Sequence, residues 1–151
     1  MLVGVDTFNS ILFGQIDGPR LLPGLGNSIM PKNLIHNKFD QVHWVTAAMA
    51  FHASLELHKK YGLFSGPTTG AAYPVSKWLS ERYLNRKIIL ISPDTGHRYI
   101  NSVYNNLWLE TMGYGKRPTN RTPVETQHPR EAVEEWSYIQ WRRRTLQEVL
   151  K

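Results

Sequence analysis

Apolar residues fall into short runs separated by stretches rich in glycine and proline. Residues 2–5 (Leu-Val-Gly-Val) are a brief apolar run ended by Asp6, the pattern of a buried strand. Residues 41–45 (Gln-Val-His-Trp-Val) alternate as a strand does. Thr46 is placed to cap a helix over 47–60, with Phe51 and Leu55 on one face and Gly62 as the stop. The small-residue turn 62–72 leads into a second helix, 69–84, which carries Ala71, Val75, Trp78 and Arg82 at helical spacing. Pro74 lies inside that helix and predicts a kink. The run Ile88-Ile89-Leu90-Ile91 predicts a third strand over 87–91, followed by a turn at Pro93-Asp94-Thr95-Gly96. Strand, helix, turn, helix, strand is an α/β order. Residues 113–130 are polar and rich in Pro, Thr and Arg, as a linker would be. Pro129 then opens a predicted helix over 131–150, with Ala132, Trp136, Ile139, Leu146 and Leu150 on one stripe.

Between the first two strands lies a long irregular stretch, 14–31, holding Gly14, Gly18, Pro19, Pro23, Gly24, Gly26 and Pro31. A loop of that length suggests binding, more so because Leu21, Leu22, Leu25 and Ile29 return between the glycines.

The chain has 151 residues and no cysteine, which excludes disulfides, thiolate metal sites and thiol nucleophiles. No run approaches the ~20 apolar residues of a membrane span, and no secretory pattern is visible, so a cytoplasmic protein without membrane contact is expected. The formal charge of +6 is spread thinly; its tight cluster, Arg142-Arg143-Arg144, reads as a solvated helix face rather than a nucleic-acid site. Six histidines (His36, His43, His52, His58, His97, His128) show no metal-ligand spacing, and no metal is expected. The five tryptophans read as core and docking residues.

Gly66-Pro67-Thr68-Thr69-Gly70 holds more chemistry. Hydroxyls at a helix N-terminus suit an anion or a polar ring atom, although they also suit plain capping. Three ordered blocks complete the picture: GQIDGPRLLPGLGNSIMPKNL, GLFSGPTTGAAYPVSKWL and IILISPDTGHRYINSVY. Together they resemble the cysteine synthase/cystathionine β-synthase family, the fold-type II, pyridoxal-phosphate-dependent β-replacement enzymes. The resemblance covers roughly residues 1–105.

It implies an α/β fold: the C-terminal part of a fold-type II large domain over 1–112, a linker over 113–130 and a C-terminal helix over 131–151. It implies that Thr68 hydrogen-bonds the pyridine nitrogen of pyridoxal 5′-phosphate. Gly66 would lie beside the ring, and Thr69 would complete the cofactor turn. Gly24 and Gly26 would line the substrate entrance, and Asp94 and Thr95 would form a turn at the ring edge. His97 stands where the family usually has Glu.

The family holds its cofactor as a Schiff base on a lysine in its N-terminal half, and none of the eight lysines here matches that motif. No catalytic residue is therefore assigned, and cofactor binding is expected only with a missing N-terminal half. The expected partners are an amino-acid substrate and either that half or a second copy of the chain. The expected function is a transferase or lyase of amino-acid biosynthesis, with a lean toward diaminopropionate synthase-like relatives. The rival is a non-catalytic interaction remnant or split subunit of the same fold, favoured by the missing lysine.

Overall fold

The computed structural model describes residues 1–131 and 135–151, which form two units: Met1–Thr46 with Thr122–Lys151, and Ala47–Arg121. Among the described residues, the first unit is built on four strands: β1 (Val3–Thr7), β2 (Gln41–Val45), β3 (Val124–Glu125) and β4 (Trp136–Gln140), in the order β1-β2-β4-β3. β1 and β2 are parallel, with Asp6 opposite Trp44. β4 runs antiparallel to β2, with Val42 opposite Ile139 and His43 opposite Tyr138, and β3 is parallel to β4.

Alternation sorts the sheet's two faces. One carries Val42, Trp44 and Ile139, which cluster with Phe13, Trp141 and Val149. The other carries His43, stacked on Tyr138 with ring centroids 5.1 Å apart. Trp136 Nε1 donates to His43 Nδ1 at 3.2 Å.

The predicted helix over 131–150 is not formed. Ala132 lies outside the described residues, Trp136 and Ile139 are in β4, and only Leu146–Val149 is helical (α4). Arg142 and Arg143 have φ of 53° and 56°, a left-handed backbone through which no right-handed helix passes. Their N–H groups donate to the carbonyls of Asp40 (2.9 Å) and Phe39 (2.8 Å). Arg143 pairs with Asp40 at 2.8 Å, and Arg144 donates to the carbonyls of Trp141 and Gln140. The arginine cluster is thus a tied turn, not a helix face. Thr145 then starts α4 with a reciprocal Thr145–Glu148 capping box.

The second unit packs α1 (Ala47–Tyr61) against α2 (Pro67–Arg82) and adds α3 (Asn106–Thr111). Gly70 sits at the close approach of the two long helices: a Cβ there would lie 2.1 Å from the Ala50 carbonyl oxygen. α1 ends as expected at Gly62, with φ of 69° and its N–H donating to the His58 carbonyl at 2.9 Å. α2 runs unbroken to Arg82 with Pro74 inside it.

The strand predicted over 87–91 is absent. Among the described residues the segment pairs with no strand, and Ile89 is 90% and Ile91 80% exposed. An apolar run with no ladder partner is a docking liability. We expect the chain to self-associate, and Ile89→Lys together with Ile91→Lys to reduce the association. Light scattering at rising concentration checks this; a wild-type monomer throughout would contradict it.

Candidate functional site

The second unit builds the site from two turns zipped together. Ser65 and Thr95 form an isolated antiparallel bridge. The Gly66 N–H donates to the Asp94 carbonyl at 3.2 Å and the Gly96 N–H to the Phe64 carbonyl at 3.0 Å. Glycine is demanded at both rungs. A Cβ on Gly66 would lie 1.9 Å from Asp94 Oδ1, and one on Gly96 would lie 2.5 Å from the Phe64 ring. The close approach at Gly66 is therefore to the Asp94 carboxylate.

That carboxylate is fixed on its other side, where Tyr99 OH donates to Asp94 Oδ2 at 2.8 Å. Burial, and then the neighbouring Asp94, raise the Tyr99 hydroxyl above its ordinary range, so it stays a proton donor. Tyr104 OH donates to the Ser65 carbonyl at 2.6 Å, and burial raises its hydroxyl too.

α2 starts from this clasp, with Gly66 as its N-cap residue and Pro67 in its first turn. The two threonines behave differently. Thr69 is buried, with Oγ1 2.8 Å from Ser92 Oγ, so its hydroxyl is spent on tying the 92–95 segment to the helix. Thr68 Oγ1 is buried and, among the described residues, has no hydrogen-bond partner. Asp94 Oδ1 shares that condition. Buried polar atoms are nearly always partnered, so an unspent hydroxyl at a helix start fits a ligand atom that takes a hydrogen bond. Thr95 Oγ1 instead lies 3.0 Å from His97 Nδ1, at the exposed edge of the turn.

The structure thus brings Gly66, Thr68, Thr69, Asp94 and Thr95 into one unit. Gly24 and Gly26 belong to the other, in a loop with internal order of its own. Both have φ of 79°, and a Cβ on Gly26 would lie 2.8 Å from Thr7 Cγ2 and 2.9 Å from Arg20 Cδ. Packing alone accounts for glycine at 26. Residues the sequence reading passed over are Tyr99 and Ser92, whose roles depend on contacts across the turn. Among the described residues, no group of three or more His, Asp or Glu is placed to hold a metal ion, and no helix is long and apolar enough to cross a membrane.

No protein-family profile matches the chain. It is 36% identical over 109 residues to an N-(2-amino-2-carboxyethyl)-L-glutamate synthase of Ralstonia nicotianae, covering 72% of this chain and 32% of that protein. The synthase of the same name from Cupriavidus metallidurans is 32% identical over 131 residues, covering 83% and 38%. Among solved structures, an O-acetylserine-dependent cystathionine β-synthase from Helicobacter pylori superposes with a TM-score of 0.61 at 28% identity, covering 67% of this chain and 33% of that one. The chain therefore spans about a third of the length of the relatives it matches. Over that matched part, the chain is similar to these cysteine synthase-like enzymes in sequence and fold.

Proposed function

We propose that this chain is the C-terminal portion of a pyridoxal-phosphate-dependent β-replacement synthase of amino-acid biosynthesis that acts in the cytoplasm and needs the N-terminal portion its relatives carry. The observation that carries the reading is the buried Thr68 Oγ1, without a hydrogen-bond partner among the described residues, on a clasped turn. Thr68 would donate to the cofactor's ring nitrogen, and Gly66 and Thr69 would shape the turn around it. Pyridoxal phosphate, when bound, supplies the electron-accepting ring that lets a serine-type substrate lose its β-substituent. A neutral hydroxyl partner keeps the ring nitrogen unprotonated and moderates that electron demand. The relatives' name points to a substrate pair for the assembled enzyme: an activated serine as donor and an amino acid amine as nucleophile. Covalent capture of the cofactor falls to a lysine of the complementary portion.

The test mixes the purified chain with the unmatched N-terminal portion of the Ralstonia relative. Cofactor absorbance and product formation should appear only in the mixture, and borohydride should trap no cofactor on the isolated chain. Thr68→Ser should keep the cofactor spectrum. Thr68→Asp should shift it, because a carboxylate holds a proton on the ring nitrogen, and should lower turnover by about tenfold or more. An unchanged spectrum and turnover in Thr68→Asp would make Thr68 a helix cap only, worth ~1 kcal/mol. The rival reading is a non-catalytic remnant of the same fold, and failure of the mixture to bind cofactor would favour it.

A further inference from the structure

Ile88, Ile89, Leu90 and Ile91 are half-buried, exposed, half-buried and exposed in turn, the period-two alternation of a strand. Both faces are nonetheless apolar, since Ile88 and Leu90 fall on the covered one and Ile89 and Ile91 on the open one. A run that is apolar on both faces is the pattern of an interior strand, covered above and below and paired along both edges. Here neither edge is paired: among the described residues, no backbone–backbone hydrogen bond involves residues 87–92.

The segment is held at its two ends. On one side the chain leaves α2 through a turn in which the Tyr83 N–H donates to the Leu79 carbonyl (2.9 Å) and the Arg86 N–H to the Tyr83 carbonyl (3.3 Å). On the other, Ser92 Oγ lies 2.8 Å from Thr69 Oγ1, and the Asp94 carbonyl takes the Gly66 N–H. A stretch tied at both ends has less freedom left to lose on pairing, which favours docking.

We propose that residues 87–92 are an interior strand without its neighbours, and that strands of the N-terminal portion carried by the relatives pair with it. The proposal rests on the reading of this chain as a C-terminal portion. Length supports that occupant. The Cupriavidus relative is matched over 83% of this chain, a continuous share that must include the central residues 87–92, yet over only 38% of its own length. Most of that protein lies outside the match, enough for several strands. A second copy of this chain is the poorer fit: paired about a two-fold axis it supplies one strand, covers one edge and leaves the other open. Docking would also reach the cofactor turn, because Ser92 ends the segment and holds Thr69, next to Thr68.

The experiment compares amide hydrogen exchange in the chain alone and after co-expression with the N-terminal portion of the Ralstonia relative, with cofactor absorbance read separately. A one-to-one complex should form, by light scattering, and protection at Ile89 and Ile91 should rise about a hundredfold or more, as in a paired strand. Ile89→Lys together with Ile91→Lys should weaken the complex about a hundredfold or more, since two buried isoleucines become charged. Leu107→Lys, at another exposed position, on α3, should leave it intact. Far-ultraviolet circular dichroism should show that these variants keep their helices. If the portion is insoluble, fusing it ahead of this chain gives the same exchange readout. A complex or fusion without protection at Ile89 and Ile91 would overturn the proposal. So would an equal loss in Leu107→Lys, or a homodimer of this chain that keeps the protection when the portion is in excess. A protected segment in a complex that binds no cofactor would support this pairing and count against the proposed function; cofactor bound with Ile89 and Ile91 unprotected would do the reverse.

Discussion

Acidification should leave the stability of this chain nearly flat from about pH 6 to about pH 4 and unfold it below that, because two buried groups oppose each other. Burial pushes His43 down to about 3 from 6.5. The fold thus prefers its neutral ring, which accepts from Trp136 Nε1. A folded value below the unfolded one gives stability that is complete above 6.5 and is lost as the pH falls toward 3, roughly 5 kcal/mol in all. Asp6 runs the other way. Its folded value, about 6, lies above the unfolded 3.8, so the penalty for its charge is full above 6 and is relieved as the pH falls to 3.8, roughly 3 kcal/mol. Between those limits the native state binds a proton at Asp6 while the unfolded chain binds one at His43, and the slopes cancel.

The variants should separate the two groups. Asp6→Asn should lose about 1.4 kcal/mol per pH unit on acidification across this window. His43→Gln, which keeps an acceptor for Trp136, should instead gain stability. Urea unfolding at four pH values from 7.5 to 4 checks all three proteins. A wild type that declines steadily, with both variants parallel to it, would show that neither group controls the profile.

Replacing Trp141 by alanine should cost about 3–5 kcal/mol and take down the first unit. Trp141 is fully buried immediately after β4. Its ring meets Phe13 edge-on at 5.3 Å and stacks on His36 at 5.8 Å, and its Nε1 donates to the Arg144 carbonyl at 2.7 Å. Nothing smaller fills that space, and the Arg144 carbonyl would lose its donor. Truncation after Arg121 removes the same contacts together with β3 and β4 and should leave β1 and β2 unfolded. Thermal unfolding followed by near-ultraviolet circular dichroism measures both; a loss below about 1 kcal/mol for Trp141→Ala would mean that the tail is an appendage.

What the sequence disclosed depends on where the deciding information lies. β1, β2, α1 and α2 were legible because their signals are local: short apolar runs ended by Asp6 and Thr46, and a glycine stop at 62. The run 88–91 was not, since an apolar stretch records a need for cover but not a hydrogen-bonding partner, and no strand here pairs with it. The tail misled because Trp136, Ile139, Leu146 and Leu150 satisfy a helical spacing, while Trp136 to Gln140 is also an aromatic-rich alternating segment. Pairing with β2 decided between the two, together with the left-handed backbone at Arg142 and Arg143, which nothing in those side chains announces. The Thr145–Glu148 capping box was readable and marked the true helix start. In the site, the order of motifs singled out Thr68. That Thr69 is spent on Ser92, and that Gly66 makes room for Asp94, depends on contacts from outside the turn.

β4 is the last strand in the chain but lies inside the sheet, between β2 and β3. Gln41 pairs with Gln140 across the whole of Ala47–Arg121. Order of synthesis and order of assembly must therefore diverge. The inserted helical unit is complete in the nascent chain while β1 and β2 still wait, one edge open, for a strand not yet translated. Closing so long a loop is slow, and an open apolar edge invites the wrong neighbour meanwhile. Yield in a cell should thus depend on how quickly β4 emerges from the ribosome and on chaperones that shield β2 until it does.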